Sequence, residues 1–405
     1  MSPSAPCTTE GPPRDQRGLS IIELLVGMAV GLLAALAIVQ AFSASEAGRR
    51  ATTGQADAQQ VGTLTGWRLM RELRLAGNGL AHGMNLWGCR LRAWQNGSAL
   101  LPRASAWPAP FTALPTSLNV LPVGVLDGGD SEPDVVMVMS AGNSTGGAPM
   151  ALTITSAAQV ETLPSVGFRS GDLLLVSNPS SAGVDCQLGQ VDTSYVPPAA
   201  GQAAPTAVPT SAALGAPYNN ANGFTTLPQP ADYTLVNLGA APTFALFGVN
   251  ANDQLVQLDL LERVTLSTPA PIGENVVNLQ VLYGIDDGSS GGVANDNVVD
   301  SWVAPTGAWS FASLQANGEA ALAIKALRLA IVVRSTERQG VQGPASITLF
   351  PDLPADVQVT LEHTAEQRSF QYQVYDTVVP LPNQRIALCA EHRRYNGIPS
   401  AGACT

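Results

Sequence analysis

The sequence predicts an α+β fold, one long N-terminal helix packed on a β-sheet-rich head, and three observations carry that expectation. An unbroken apolar run over residues 19–42 continues without proline into a polar stretch with helical spacing. Beyond Gly77 the texture changes to short β-branched runs separated by Gly, Pro, Asn and Asp. Charged residues make up only 13% of the 405 and hydrophobic ones 45%, with 39 Gly and 30 Pro, a mixture that favours turns and strands over surface helices. A chain of this length holds one large domain or two modest ones. Its net charge of −11 repels phosphate backbones, so nucleic acid is not an expected partner.

The N-terminal run comes first. Residues 19–42 read LSIIELLVGMAVGLLAALAIVQAF, with Glu23 as the one charge. About 20 apolar residues cross a bilayer, so the run is long enough. A plain anchor, or a secretory signal cut near residues 41–44, leaves Glu23 unexplained, since a carboxylate in hydrocarbon costs roughly 2.5 to 3.5 kcal/mol. The stretch RGLSIIELLVG, residues 17–27, resembles the class III signal of type IV prepilins: a polar, basic leader ending in Gly18, then an apolar segment with Glu at its fifth position. The resemblance implies cleavage between Gly18 and Leu19 by a prepilin peptidase and methylation of the new terminus at Leu19. Glu23 would lie one turn away, at i+4, and meet the amino-terminal charge of a neighbouring subunit during assembly. Two features depart from the common pattern. Leu19 stands where Phe is usual, and the leader carries Glu10 and Asp15 beside Arg14 and Arg17. Arg14 and Arg17 are balanced by Arg49 and Arg50, so orientation rests on the motif and not on flanking charge.

The helix is expected to run on past the membrane. Leu69, Met70, Leu73, Ala76 and Leu80 fall on one face at 3.6-residue spacing, with Arg68, Arg71 and Arg74 on the other. From Leu19 to Ala76 a continuous helix would span roughly 85 to 90 Å. Gly48, Gly54, Gly62 and Gly66 each weaken it by about 1 kcal/mol relative to Ala, which predicts softening in the middle.

Strands follow at 134–140, 151–155, 171–177, 243–249, 254–261, 275–285, 326–335 and 370–381, several of them alternating in polarity. Residues 196–232, rich in Ala, Pro, Thr, Gly and Asn, read as a long loop. The expected organisation is a leader at 1–18, a helix at 19–80 with 19–42 in the membrane, and a first β-rich part at 81–196. A loop or linker at 197–232 and a second β-rich part at 233–405, with a C-terminal disulfide loop, complete it.

The order of the anchor helix, GDLLLVS, ENVVNLQVLYGIDDG, the stretch bearing Trp302 and Trp309, ALRLAIVVRS and VVPLPNQR resembles the PilW family of minor pilins. That resemblance implies a low-abundance subunit that initiates type IV pilus assembly near the filament tip and supports twitching motility and adhesion. Its partners would be other minor pilins, the major pilin, the prepilin peptidase, the inner-membrane assembly platform and a large tip adhesin. It would sit in the bacterial inner membrane by a single pass, with a periplasmic head, and reach the cell surface in the pilus. A type II secretion minor pseudopilin at a piston tip would share the anchor and Glu23, and is the alternative.

None of the five cysteines, Cys7, Cys89, Cys186, Cys389 and Cys404, shows CxxC spacing. Cleavage after Gly18 removes Cys7 and leaves four for two disulfides outside the cytoplasm, with three possible pairings. Cys89 with Cys186 and Cys389 with Cys404 is preferred, because so short a C-terminal loop closes at little entropic cost. Residues 288–292, GSSGG, match GxSxG, but an Asn- and Asp-rich loop follows instead of a helix, and His82, His363 and His392 are the only histidines. Catalysis is not expected, nor a cofactor. Asp286, Asp287, Asp296 and Asp300, with Asn295 and Asn297, are the oxygen ligands calcium prefers, though their spacing is not that of an EF-hand and a solvated turn is the simpler expectation.

Overall fold

The computed structural model describes residues 20–80, 86–129, 132–142, 149–162, 167–178, 185–199, 207–211, 216–227, 233–261, 268–336, 338 and 342–384. Residues 1–53 form one compact unit and 54–405 another. The fold is α+β, an N-terminal apolar helix followed by a β-rich head.

The helix α1, Ile21–Arg74, is continuous. Ser20 caps its start by accepting from the Ile22 amide on its hydroxyl at 3.3 Å. Gly77 and Gly79, at φ +74° and +67°, turn the chain away after its end, a left-handed geometry that suits glycine. In the second unit Leu69, Leu73, Ala76 and Leu80 are fully buried, so the stripe read from the spacing is the face that meets the head.

The described residues of the head form nineteen strands. They are β1 (Arg90–Gln95), β2 (Ser98–Leu101), β3 (Val123–Leu126), β4 (Val135–Ser140), β5 (Met150–Ser156), β6 (Gln159–Thr162) and β7 (Leu173–Ser177). Next come β8 (Asp185–Gln190), β9 (Ala207–Pro209), β10 (Tyr233–Gly239), β11 (Thr243–Asn250), β12 (Gln254–Asp259), β13 (Ala270–Glu274) and β14 (Val276–Ile285). The last are β15 (Ser301–Val303), β16 (Ile324–Arg334), β17 (Ser346–Leu349), β18 (Val359–Glu362) and β19 (Tyr372–Pro380). An eight-stranded sheet runs β2-β1-β8-β7-β10-β5-β6-β9, a five-stranded sheet β13-β12-β11-β4-β3, and a four-stranded sheet β15-β14-β16-β19, with β17 and β18 paired as a hairpin.

Burial explains this arrangement. β16 sends Leu327, Leu329, Ile331 and Val333 into the main core, shared with α1 and the five-stranded sheet, and Ala330 and Val332 into a smaller core under the β17–β18 hairpin. A strand covered on both faces reads as a near-continuous apolar run, as IKALRLAIVVR does. The eight-stranded sheet builds a separate core around Phe168, Val176, Phe224 and Leu235. The segment expected to be a loop, 196–232, supplies β9 and the turn Gly223–Thr226 to that core, where Val208, Phe224 and Leu227 are buried, while its Tyr218 is buried in the main core.

Two of the four glycines at which softening is expected, Gly62 and Gly66, lie against the head. Gly62 lies directly under the Tyr375 ring, whose hydroxyl donates to the Gln59 carbonyl. A Cβ at Gly66 would sit 3.8 Å from Ile331. At these two positions the head packs where a side chain is missing, whereas Gly48 has no neighbour within 4 Å.

Candidate functional site

The first unit holds the residues that matter most to the sequence reading. Ile21–Glu46 is a 26-residue apolar stretch with none of its side chains buried. At 1.5 Å per residue it extends about 39 Å, enough for a hydrocarbon core of about 30 Å. Glu23 stands exposed in its first turn and is the lone charge between Ser20 and Ser45. An acid there also complements the positive end of the helix dipole. Gly18 and Leu19, the expected cleavage pair, lie outside the described residues.

In the second unit, α1 is held across the seam between two sheets. On the four-stranded side Gly62 meets Tyr375, and Thr377 lies 3.7 Å from the Met70 sulfur. On the five-stranded side Arg68 donates to the Ile272 carbonyl at 3.1 Å and Thr243 to Glu72 at 3.3 Å, while Thr65 packs on Gly273. The outward face carries Leu64, Trp67 and Leu75, all exposed. Trp87 and Trp107 are buried as core residues, Trp94 is half-buried, and Trp67 is exposed.

Cys89 and Cys186 form a disulfide that joins the start of β1 to β8 across 97 residues, with both cysteines buried. Cys389 and Cys404 lie outside the described residues, as do His82 and His392.

The Asp-rich loop after β14 spends its carboxylates on backbone amides. Asp286 accepts from Asn295 N at 2.6 Å and Asn297 N at 2.8 Å, and Asp300 accepts from Asp287 N at 3.0 Å and Gly288 N at 2.7 Å. Asp287 accepts from Ser289 N and Asp296 from Val298 N. Among the described residues no group of three His, Cys, Asp or Glu is arranged to hold a metal ion. Ser290 of the GSSGG run is exposed at φ +54°, while Ser289 donates to Ser301.

Two buried charges were not singled out from the sequence, the cation beside Asp286 and the acid Asp134. Lys325, the chain's one lysine, is buried 3.9 Å from Asp286, and its ammonium donates to the Leu322 carbonyl at 2.7 Å. That pair anchors the loop at the base of the four-stranded sheet. Asp134, immediately before β4, accepts from Gly128 N at 2.9 Å and Val281 N at 2.8 Å, tying two sheets together. Burial pushes its pKa up to about 7, against the pull of those two amides and with a small push from Asp127. A strand-leading acid in DVVMVMS was visible, but nothing local marks it as buried.

Residues 246–383 match the family model of type IV pilus-assembly protein W, and residues 13–39 match the prokaryotic N-terminal methylation motif. No curated protein and no solved structure gives a significant match. The first match covers β12, β14, β16 and β19. The second covers the apolar helix start with Glu23. Together they support a type IV pilin-like pilus-assembly protein, and the motif with its apolar helix fits a membrane-anchored pilin.

Proposed function

We propose that this chain is a minor type IV pilin, made as a prepilin, cut between Gly18 and Leu19, methylated at Leu19, and used to prime pilus assembly at or near the filament tip. The observation that carries the proposal is Glu23, a single carboxylate in the first turn of a fully exposed apolar helix. Burying it in lipid or in a filament core is unfavourable unless an amine neutralises it, and cleavage after Gly18 creates one within a helical turn.

The work of the protein is then assembly and not catalysis. The helix holds the subunit in the inner membrane with the head in the periplasm, and later packs among the helices of other pilins. Gly18 is what the peptidase reads, Leu19 the new terminus, Glu23 the contact to the next subunit. Leader 1–18, helix 19–80, and β-rich parts at 81–196 and 233–405 about the 197–232 stretch are the working divisions. A tip position would bring the head against other minor pilins and a large adhesin, and so serve twitching motility and adhesion. The match to the pilus-assembly family over 246–383 favours a pilus over a type II secretion piston.

Mass spectrometry of the subunit purified from its own cells tests the first step: the reading requires an N-methylated Leu19 at the terminus. Glu23→Ala should be cleaved normally yet fail to enter filaments. Normal pilus initiation by that variant would remove the assigned role of Glu23, and a terminus at Met1 or beyond residue 42 would remove the whole proposal.

A further inference from the structure

A cavity of about 530 Å³ opens at one end of the four-stranded sheet, where the turn before β12, the start of β14, the end of β16, the end of β18 and the start of β19 converge. That volume lies in the range of small-molecule sites. We infer that it binds a small zwitterion, an amino acid or dipeptide with an apolar side chain, whose carboxylate is taken by Arg334 and whose ammonium is taken by Glu362.

Arg334 is the reason. Its Nε donates to Asp253 at 2.8 Å, and its guanidinium lies over the Phe370 ring at 4.4 Å from the ring centre. The plane is fixed from two sides, so the side-chain entropy that binding normally costs is already lost. Its two terminal amino groups have no hydrogen-bond acceptor among the described residues, although the side chain is only 24% exposed. A pre-set fork of N–H donors facing a cavity matches a carboxylate in geometry and charge.

The remaining charges of the lining select the rest of the ligand. Arg338 at the rim is already paired with Glu366. Glu362, by contrast, forms no ion pair and no side-chain hydrogen bond with the described residues, and lines the same cavity as Arg334. One unspent donor group and one unspent acceptor group in a near-neutral cavity suit a ligand that carries both signs, and suit a simple anion poorly. Val277 and Leu361 give the lining its apolar part, and the His363 ring, stacked on Tyr372 at 4.2 Å, forms a flat wall. An aliphatic side chain fits that surface better than a polar one.

The test uses the full chain in detergent micelles and isothermal titration with leucine, N-acetyl-leucine, leucinamide and the dipeptide Leu-Leu. Leucine or Leu-Leu should bind, leucinamide should be weaker by at least about tenfold for want of the carboxylate, and N-acetyl-leucine weaker by several-fold for want of the ammonium. Binding of the dipeptide alone would support the same chemistry in a longer ligand. Arg334→Gln should abolish binding, with Arg334→Lys, which keeps the charge but not the fork, falling between. Because Arg334→Gln also frees Asp253 and Phe370, the exposed Glu362→Gln is the cleaner variant: it should weaken leucine while leaving N-acetyl-leucine unchanged. Equal affinity for leucine and leucinamide, a Glu362→Gln variant with wild-type leucine affinity, or no heat from any probe up to about 10 mM would each overturn the inference.

Discussion

Replacing Gly62 by alanine puts the packing of α1 on the head to a direct test. In an exposed helix interior, Gly→Ala gains about 0.5 to 1 kcal/mol, because glycine gives up more backbone freedom on folding. At Gly62 a Cβ would stand inside the Tyr375 ring. Either the ring or the helix must move, an overpacking cost of about 1 to 3 kcal/mol. Movement of the ring also breaks the bond from the Tyr375 hydroxyl to the Gln59 carbonyl, worth about 0.5 to 1.5 kcal/mol. Overlap outweighs propensity, and Gly62→Ala should destabilise the head by about 1 to 3 kcal/mol.

The same substitution elsewhere on the helix reverses the sign. Gly48 has nothing within 4 Å of where its Cβ would be, and at Gly66 the neighbour, Ile331, is at an ordinary 3.8 Å. Gly48→Ala and Gly66→Ala should be neutral or stabilising by up to about 1 kcal/mol. Urea unfolding of the full chain in detergent, followed by near-UV circular dichroism, reads all three. In a double-mutant cycle, Tyr375→Ala should make room for the methyl group that Gly62→Ala adds, with a coupling energy of at least about 1 kcal/mol. Equal stability of Gly62→Ala and Gly66→Ala, or a coupling near zero, would refute the packing assigned to this contact.

Three further outcomes follow from the head. Removing both cysteines, Cys89→Ser with Cys186→Ser, reopens a 97-residue loop and should lower unfolding free energy by roughly 4 to 5 kcal/mol, checked by urea denaturation of oxidised wild type beside the variant. Asp134 has its pKa raised in the fold to about 7, so its neutral form is the one folding favours. Its stabilisation is complete below about pH 4, the unfolded value, and is lost as pH rises through the folded pKa. The urea midpoint should therefore fall between about pH 4 and 7, and Asp134→Asn should flatten that slope; a midpoint that rises over this window contradicts the assignment. Lys325→Met leaves Asp286 buried without its cation and should cost about 3 to 5 kcal/mol, only part of it recovered in the double variant with Asp286→Asn, whose amide oxygen can accept from one of the two loop N–H groups, as measured by thermal unfolding.

How much was legible depended on whether a residue's environment is made locally or at a distance. Most of the eight strands read from sequence are apolar runs between turn residues, such as VVNLQVLYGI in β14, and their burial follows from their own composition. Strand β8, DCQLGQ, offers no such run. It is a strand because Cys186 is tied to Cys89, because Gln187 donates to the Gly223 carbonyl, and because Gly189 leaves room for the Phe224 ring. Those partners come from elsewhere in the chain, and no window of six residues contains them. The same holds for β13, where Pro271 and Gly273 argue against a strand until Thr65 of α1 is seen to need the space over Gly273.

The two sites differ in the same way. Glu23 announces itself because a carboxylate in an apolar helix is unfavourable wherever the rest of the chain goes, so sequence alone singles it out as the candidate. Arg334 is an ordinary strand-ending arginine in sequence. It becomes a fixed fork only when Asp253, 81 residues earlier, and Phe370, in the turn before β19, are brought to it by the pairing of β16 with β14 and β19. Its functional character is a property of the sheet. Any chain that keeps these strand pairings but changes Asp253 or Phe370 should keep the fold and lose the pre-set guanidinium, which makes those two positions the ones to vary when binding and stability must be told apart.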